Sequence, residues 1–93
     1  MNITEIIAVL EDIESRIETQ EAIGLEGTIY EDAEELLEDI NDFIVELEEG
    51  NKEAVEYIDI HFLPSSTFEL LAGHNGWSEQ YKVWQERYEA ARK

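Results

Sequence analysis

The sequence predicts an all-α protein, a compact single-domain bundle of four to five helices. Three observations carry that reading. Apolar residues recur at three- and four-residue steps along most of the chain, which stacks them on helical stripes. The pairs Asn2–Glu5, Thr28–Glu31 and Ser66–Glu69 stand where those stripes begin, in the spacing of reciprocal helix caps. Gly24, Gly50, Pro64 and Gly73 then punctuate the stripes near their ends.

The first helix starts at Asn2 and carries Ile3, Ile6, Ile7, Leu10, Ile13 and Ile17 on one face. Its pattern fades near Gln20, and Gly24-Leu25-Glu26-Gly27 reads as a loop. Thr28 and Glu31 open the second helix, whose stripe is Ala33, Leu36, Leu37, Ile40, Phe43, Ile44 and Leu47. Asn51 caps a third helix with Ala54, Val55, Ile58 and Phe62 or Leu63 turned inward. Ile58, Ile60 and Phe62 also alternate as a strand would, but a lone strand has no partner in this chain. Pro64 ends the element. Ser66 starts a short helix through Phe68, Leu70 and Leu71 to Gly73, and His74-Asn75-Gly76 reads as a turn. The last helix aligns Tyr81, Trp84 and Tyr88 behind Trp77, and Arg92 and Lys93 complement its negative end. The predicted spans are 3–21, 29–49, 52–62, 66–72 and 78–91. In the predicted core, Leu36, Leu37, Ile40, Phe43 and Ile44 pack against Ile6, Leu10, Ile13 and Trp77.

Charge is the second message of the sequence. The net charge is -18, and it is unevenly placed: residues 1–77 set twenty-one acids against Arg16 and Lys52. The last sixteen residues set Glu79, Glu86 and Glu89 against Lys82, Arg87, Arg92 and Lys93. Such a chain repels nucleic acid and anionic membrane and speeds encounter with a basic partner. Solubility alone does not require the asymmetry. With no cysteine, disulfides and thiolate metal sites are excluded. No run approaches a membrane span, and Met1-Asn2-Ile3-Thr4-Glu5 lacks the basic start of a signal peptide, so a cytoplasmic location is expected.

Candidate chemistry is sparse. Paired Glu-x-x-His motifs, His-x-x-x-His, a nucleophile elbow and a calcium loop are all missing. His61 is expected on the surface or half-buried, with no metal, and His74 in a structural turn. Carboxylates are too many and too uniformly wet to single out an acid–base pair. The chain is read as a non-enzyme without metal or cofactor.

Two features could bind a partner. Glu31, Glu35, Glu38, Asp42, Glu46 and Glu49 advance by three and four residues into one continuous acidic stripe. The bland reading of such a stripe is a solvated outer face. Trp77, Tyr81, Trp84 and Tyr88 most simply complete the core. Their number also suggests an exposed edge, at Trp84 or Tyr88, serving as an interface anchor.

The segment Phe62-Leu63-Pro64-Ser65-Ser66-Thr67-Phe68-Glu69, with Asn75-Gly76-Trp77-Ser78-Glu79-Gln80-Tyr81, carries a resemblance. It resembles the Phe-x-Pro-Thr-Gly-x-Leu-Gln-Glu and Asn-Gly-Trp-Gly-x-Glu-Phe segments of small bacterial proteins. Some of those resemble immunity proteins encoded beside polymorphic or contact-delivered toxins. Phe62, Pro64, Asn75, Gly76 and Trp77 match, and Tyr81 keeps the final aromatic. Ser65-Ser66 stands for Thr-Gly, Phe68 for Leu, Glu69 for Gln, Leu70 for Glu, Ser78 for Gly and Gln80 for Glu. The resemblance implies a helical fold and toxin immunity, and it transfers no contact residue.

The leading expectation is therefore an immunity protein that binds and neutralises a cognate toxin, such as a nuclease, through its acidic surface. The alternative is a phage-encoded nucleic-acid mimic that inhibits a restriction or CRISPR defence enzyme. A third reading is a structural, homodimerising bundle. The first two share a basic protein partner, with no direct nucleic acid or membrane contact, and the chain acts as a monomer or homodimer.

Overall fold

The computed structural model describes residues 1–93 and is all-α. Its five helices are α1 (Ile3–Glu18), α2 (Ala33–Glu48), α3 (Ala54–His61), α4 (Thr67–Asn75) and α5 (Ser78–Arg92). Residues 58–61 lie in α3, so the strand alternative falls.

Helix ends show where local chemistry decided the outcome. Asn2 caps α1, its Oδ1 accepting the Glu5 N–H at 3.0 Å. Glu5 does not reach back; its carboxylate takes Arg87, and the Asn2 N–H donates to Ala91 O at 2.7 Å. Thr28 does not cap α2. Its hydroxyl donates to Leu25 O at 2.7 Å and accepts the Tyr30 N–H at 3.2 Å, closing a local turn. That turn buries Tyr30, and Asp32 caps instead, accepting the Glu35 N–H at 3.0 Å. The helix predicted over 29–49 starts only at Ala33 for this reason, and the one predicted over 3–21 ends at Glu18. Gly50 (φ +89°) ends α2 as expected: its N–H donates to Leu47 O at 3.1 Å, and that of Asn51 to Glu46 O at 2.9 Å.

The third capping box does not form. Ser66 makes no side-chain cap, whereas Glu69 Oε1 accepts the Ser65 N–H at 2.8 Å. Gly73 does not stop α4, and His74 and Asn75 extend it. The stop is Gly76 (φ +77°), with the Trp77 N–H donating to Ala72 O at 2.8 Å.

α1 lies at the centre, with α2 on one side and α5 on the other. α1 and α5 run antiparallel: Asn2 meets Ala91 at one end, and Arg16 sits over the Trp77 ring at the other. α3 packs on α2 and α4 on α5. The ring of helices is closed by side chains of α3 and α5. Phe62 stacks on Tyr88 with ring centroids 4.3 Å apart. Asp59 accepts bonds from Arg92 Nε and Nη2 at 2.8 and 2.7 Å.

Leu36, Ile40 and Ile44 join Ile6, Leu10, Ile13 and Trp77 in the buried core. Leu37 and Phe43 only flank it, which corrects the predicted core. Phe43 faces the His61 ring at 5.6 Å instead.

The connection 19–32 is held by the end of α4. Asn75 Oδ1 accepts from Gln20 Nε2 at 2.7 Å and Gly24 N at 3.0 Å, and its Nδ2 donates to Gly24 O at 3.0 Å. Gly24 sits so close that an added Cβ would come within 3.0 Å of His74 Cβ.

Candidate protein-binding face

α2 buries Leu36, Ile40, Ile44 and Leu47, which leaves its carboxylates on the far side. Glu35, Glu38 and Asp42 are exposed there, and Glu46 is half-buried. Glu31 precedes the helix, with its N–H donating to Glu35 Oε1 at 3.2 Å, and Glu49 is the C-cap. The stripe is thus one surface whose two ends lie just outside the helix.

No cation neutralises it. Arg87 pairs with Glu5 and Asp12, Arg92 with Asp59, and Arg16 covers Trp77. The ion pair with Arg92, foremost its hydrogen bond, holds the Asp59 carboxyl below its usual pKa. None of the six stripe carboxylates lies in an ion pair. Their field is therefore directed at solvent and at whatever approaches from it.

The two proposed anchors are not there. Trp84 is 1 % exposed and Tyr88 3 % exposed, so neither presents an edge. α5 is flanked by α1 and α4, and α3 closes over its remaining aromatic side. Tyr88 donates its hydroxyl to Asp59 and stacks on Phe62, while Trp84 meets Trp77 edge-on at 6.5 Å. Both rings belong to the core. The Trp84 indole N–H is buried without a partner.

Exposed apolar surface lies elsewhere, beside the acidic stripe. A groove of about 660 Å³ runs between α2 and α3 and is lined by Ile29, Phe43, Val45, Tyr57 and Ile60. Asp39, Asp42, Glu46 and Glu49 contribute to the same groove. Sequence reasoning missed it. The available signal was Tyr57 and Ile60, an apolar pair three residues apart and off the inward stripe of α3.

His61 stands in the groove wall, buried rather than on the surface, which corrects its predicted placement. Its Nδ1 lies 2.7 Å from Thr67 Oγ1, and its Nε2 3.5 Å from the Tyr30 hydroxyl. Tyr30 donates in turn to Asp39 at 2.6 Å. Burial pushes the His61 pKa down, partly offset by the Asp39 charge. Burial, then the bond to Asp39, pushes the Tyr30 pKa up. The network ties the 28–31 turn to α2, α3 and α4. No group of three or more His, Asp or Glu side chains is placed to hold a metal ion.

The segment carrying the family resemblance does structural work. Asn75 pins the long connection, Gly76 ends α4, Trp77 is buried, and Phe62 packs on Phe68 and Tyr88. The Tyr81 hydroxyl donates to Phe62 O at 3.4 Å, joining the two halves of the signature. None of these residues lines the acidic face. No helix is long and apolar enough to cross a membrane. Comparison with protein-family models, curated proteins and solved structures returns no match.

Proposed function

We propose that the protein is a stoichiometric inhibitor of the immunity type, which docks its acidic α2 face on a basic bacterial toxin. The observation that carries this reading is the row Glu31, Glu35, Glu38, Asp42, Glu46 and Glu49 without a single ion pair, in a chain whose arginines are used elsewhere. A protein stabilised only against its own unfolding would gain by distributing cations among those carboxylates. Leaving them unpaired costs self-repulsion and provides long-range attraction to a positive surface. A toxin that acts on nucleic acid offers such a surface, because its groove must neutralise phosphates.

The test is whether a toxin gene neighbours the one for this chain, and whether the chain protects against that toxin and binds it. Co-expression should relieve growth arrest, and the purified pair should associate at a rate that falls as salt is added. Reversing two charges, Glu35→Lys with Glu38→Lys, should lower the on-rate by about tenfold or more at low salt and flatten its salt dependence. An on-rate unmoved by both reversals removes the stripe from the interface. Absence of protection overturns the immunity reading.

A further inference from the structure

We infer that the groove between α2 and α3 is the apolar half of the partner site, and that it takes a row of apolar side chains flanked by Lys or Arg. The inference rests on the acidic-face reading above and supplies the anchor that Trp84 and Tyr88 cannot provide. The large hydrophobics exposed on this protein are few, and four of them, Ile29, Val45, Tyr57 and Ile60, converge on this groove. Met1, Leu63 and Val83 are exposed elsewhere.

Ile29 shows that the presentation is built rather than incidental. It is 81 % exposed, yet the next residue, Tyr30, is buried and hydrogen-bonded to Asp39. The Thr28 hydroxyl fixes the turn between them. A pinned Tyr30 thus holds Ile29 outward at the groove in a preset geometry, which lowers the ordering cost of binding. Across the groove, Tyr57 (62 % exposed) and Ile60 stand on α3, a helix whose other face is anchored in the core. Exposed apolar side chains gathered beside one sign of charge mark an interface rather than a solvated face.

Charge chooses the occupant. Asp42, Glu46 and Glu49 belong to the unpaired stripe and line the groove as well. A second copy of this chain, at a net charge of -18, would bring a like-charged rim against it. An anionic membrane is repelled for the same reason. A basic amphipathic segment satisfies both surfaces at once: its apolar row fills the groove while its Lys or Arg side chains reach the rim.

The experiment uses the full chain and two fluorescent peptides of identical composition. One is a helical peptide with a row of Leu flanked by Lys, the other its scrambled isomer. Binding is followed by anisotropy at two salt concentrations, and the site is mapped by amide shifts. The amphipathic peptide should bind on the order of tenfold tighter than the scramble and shift residues of α2 and α3 about the groove. Tyr57→Ala with Ile60→Ala should abolish that margin and leave scramble binding unchanged; both residues are exposed, and circular dichroism verifies the fold. Equal binding of the two peptides, or indifference to the Tyr57 and Ile60 changes, overturns the groove and leaves the acidic face standing. No salt-sensitive binding of either peptide removes the acidic-face reading together with the groove. Self-association of the protein that Tyr57→Ala and Ile60→Ala abolish assigns the groove to a second copy and overturns the inference.

Discussion

Replacing Asn75 tests how the long connection between α1 and α2 is held. Its amide makes four hydrogen bonds: it accepts from Gln20 Nε2 and Gly24 N, and it donates to Gly24 O and to Leu71 O at 2.8 Å. The two bonds to Gly24 matter most, because Asn75→Ala strands a backbone donor and acceptor against α4. At about 1 kcal/mol for each of these, and about half that for each of the outer two, Asn75→Ala costs about 3 kcal/mol. Asn75→Asp separates hydrogen-bond geometry from mere polarity. The carboxylate still accepts from Gln20 and Gly24 N, but it sets an oxygen against Gly24 O and Leu71 O. It also adds negative charge at the negative end of α4. Asp should therefore cost as much as Ala or more, although it is nearly isosteric with Asn. The assay is urea unfolding with an unchanged m-value, together with exchange of the Gly24 amide, which should lose local protection in the Ala variant and keep its acceptor in the Asp variant. An Asn75→Ala loss below about 0.5 kcal/mol, or an Asp variant more stable than Ala, would refute the argument.

Three further outcomes are expected. Ile40→Ala, at a fully buried site in the middle of α2, should cost about 2–5 kcal/mol by thermal or urea unfolding, and a parent-like melt would show that the wrong face had been placed inside. His61 is held neutral in the fold by burial, so its folded pKa lies below the usual 6.5. The unfolded chain then binds the extra proton first. Stability should be full above pH 6.5 and fall as pH drops below it toward the folded value. Asp59, lowered by Arg92, adds its own loss only around and below its usual 3.8, whereas Glu14, raised by burial and by Glu18 and Glu11, pulls the other way as pH nears its usual 4.5. A stability curve flat from pH 7 to 5 would count against the His61 assignment. Ser65 holds a left-handed backbone at φ +60°, so Ser65→Gly should stabilise by about 0.5 kcal/mol, net of the added entropy of glycine. A lower melting temperature for that variant would mean that the Ser65 side chain supports the turn.

The helices were legible because their period is written directly in the residues. Ile6, Leu10, Ile13 and Ile17, then Leu36, Ile40, Ile44 and Leu47, need no tertiary information to fall on two stripes. Boundaries were less so, because several residues could serve each role. Thr28 and Asp32 are both competent caps, and the choice between them turned on Tyr30 finding a buried place beside Asp39. Gly73 and Gly76 are both competent stops, and only the second takes the left-handed conformation. The acidic stripe could be read outright, since six carboxylates at helical spacing can hardly be buried. Its neighbour was harder to read: Tyr57 and Ile60 stand off the inward stripe of α3, but only the packing of the 28–31 turn brings Ile29 beside them. Trp84 and Tyr88 failed in the opposite sense, because only the closure of α3 on α5 hides them.

The antiparallel seating of α1 against α5 has a consequence for how the chain acquires its shape. α1 is synthesised before α5 and has to wait for it. Until Trp84 and Tyr88 arrive, one flank of α1 has nothing to pack on, and α3 has no ring to close against. The acquisition of structure is therefore deferred until α5 is available, and it includes closing the long loop that separates Asn2 from Ala91. During that interval the exposed isoleucines of residues 1–17 would be prone to cluster with those of neighbouring nascent chains. The lopsided charge acts here as well: twenty-one acids against two bases in residues 1–77 keep unfinished chains apart until α5, whose three acids are balanced by three bases, is delivered.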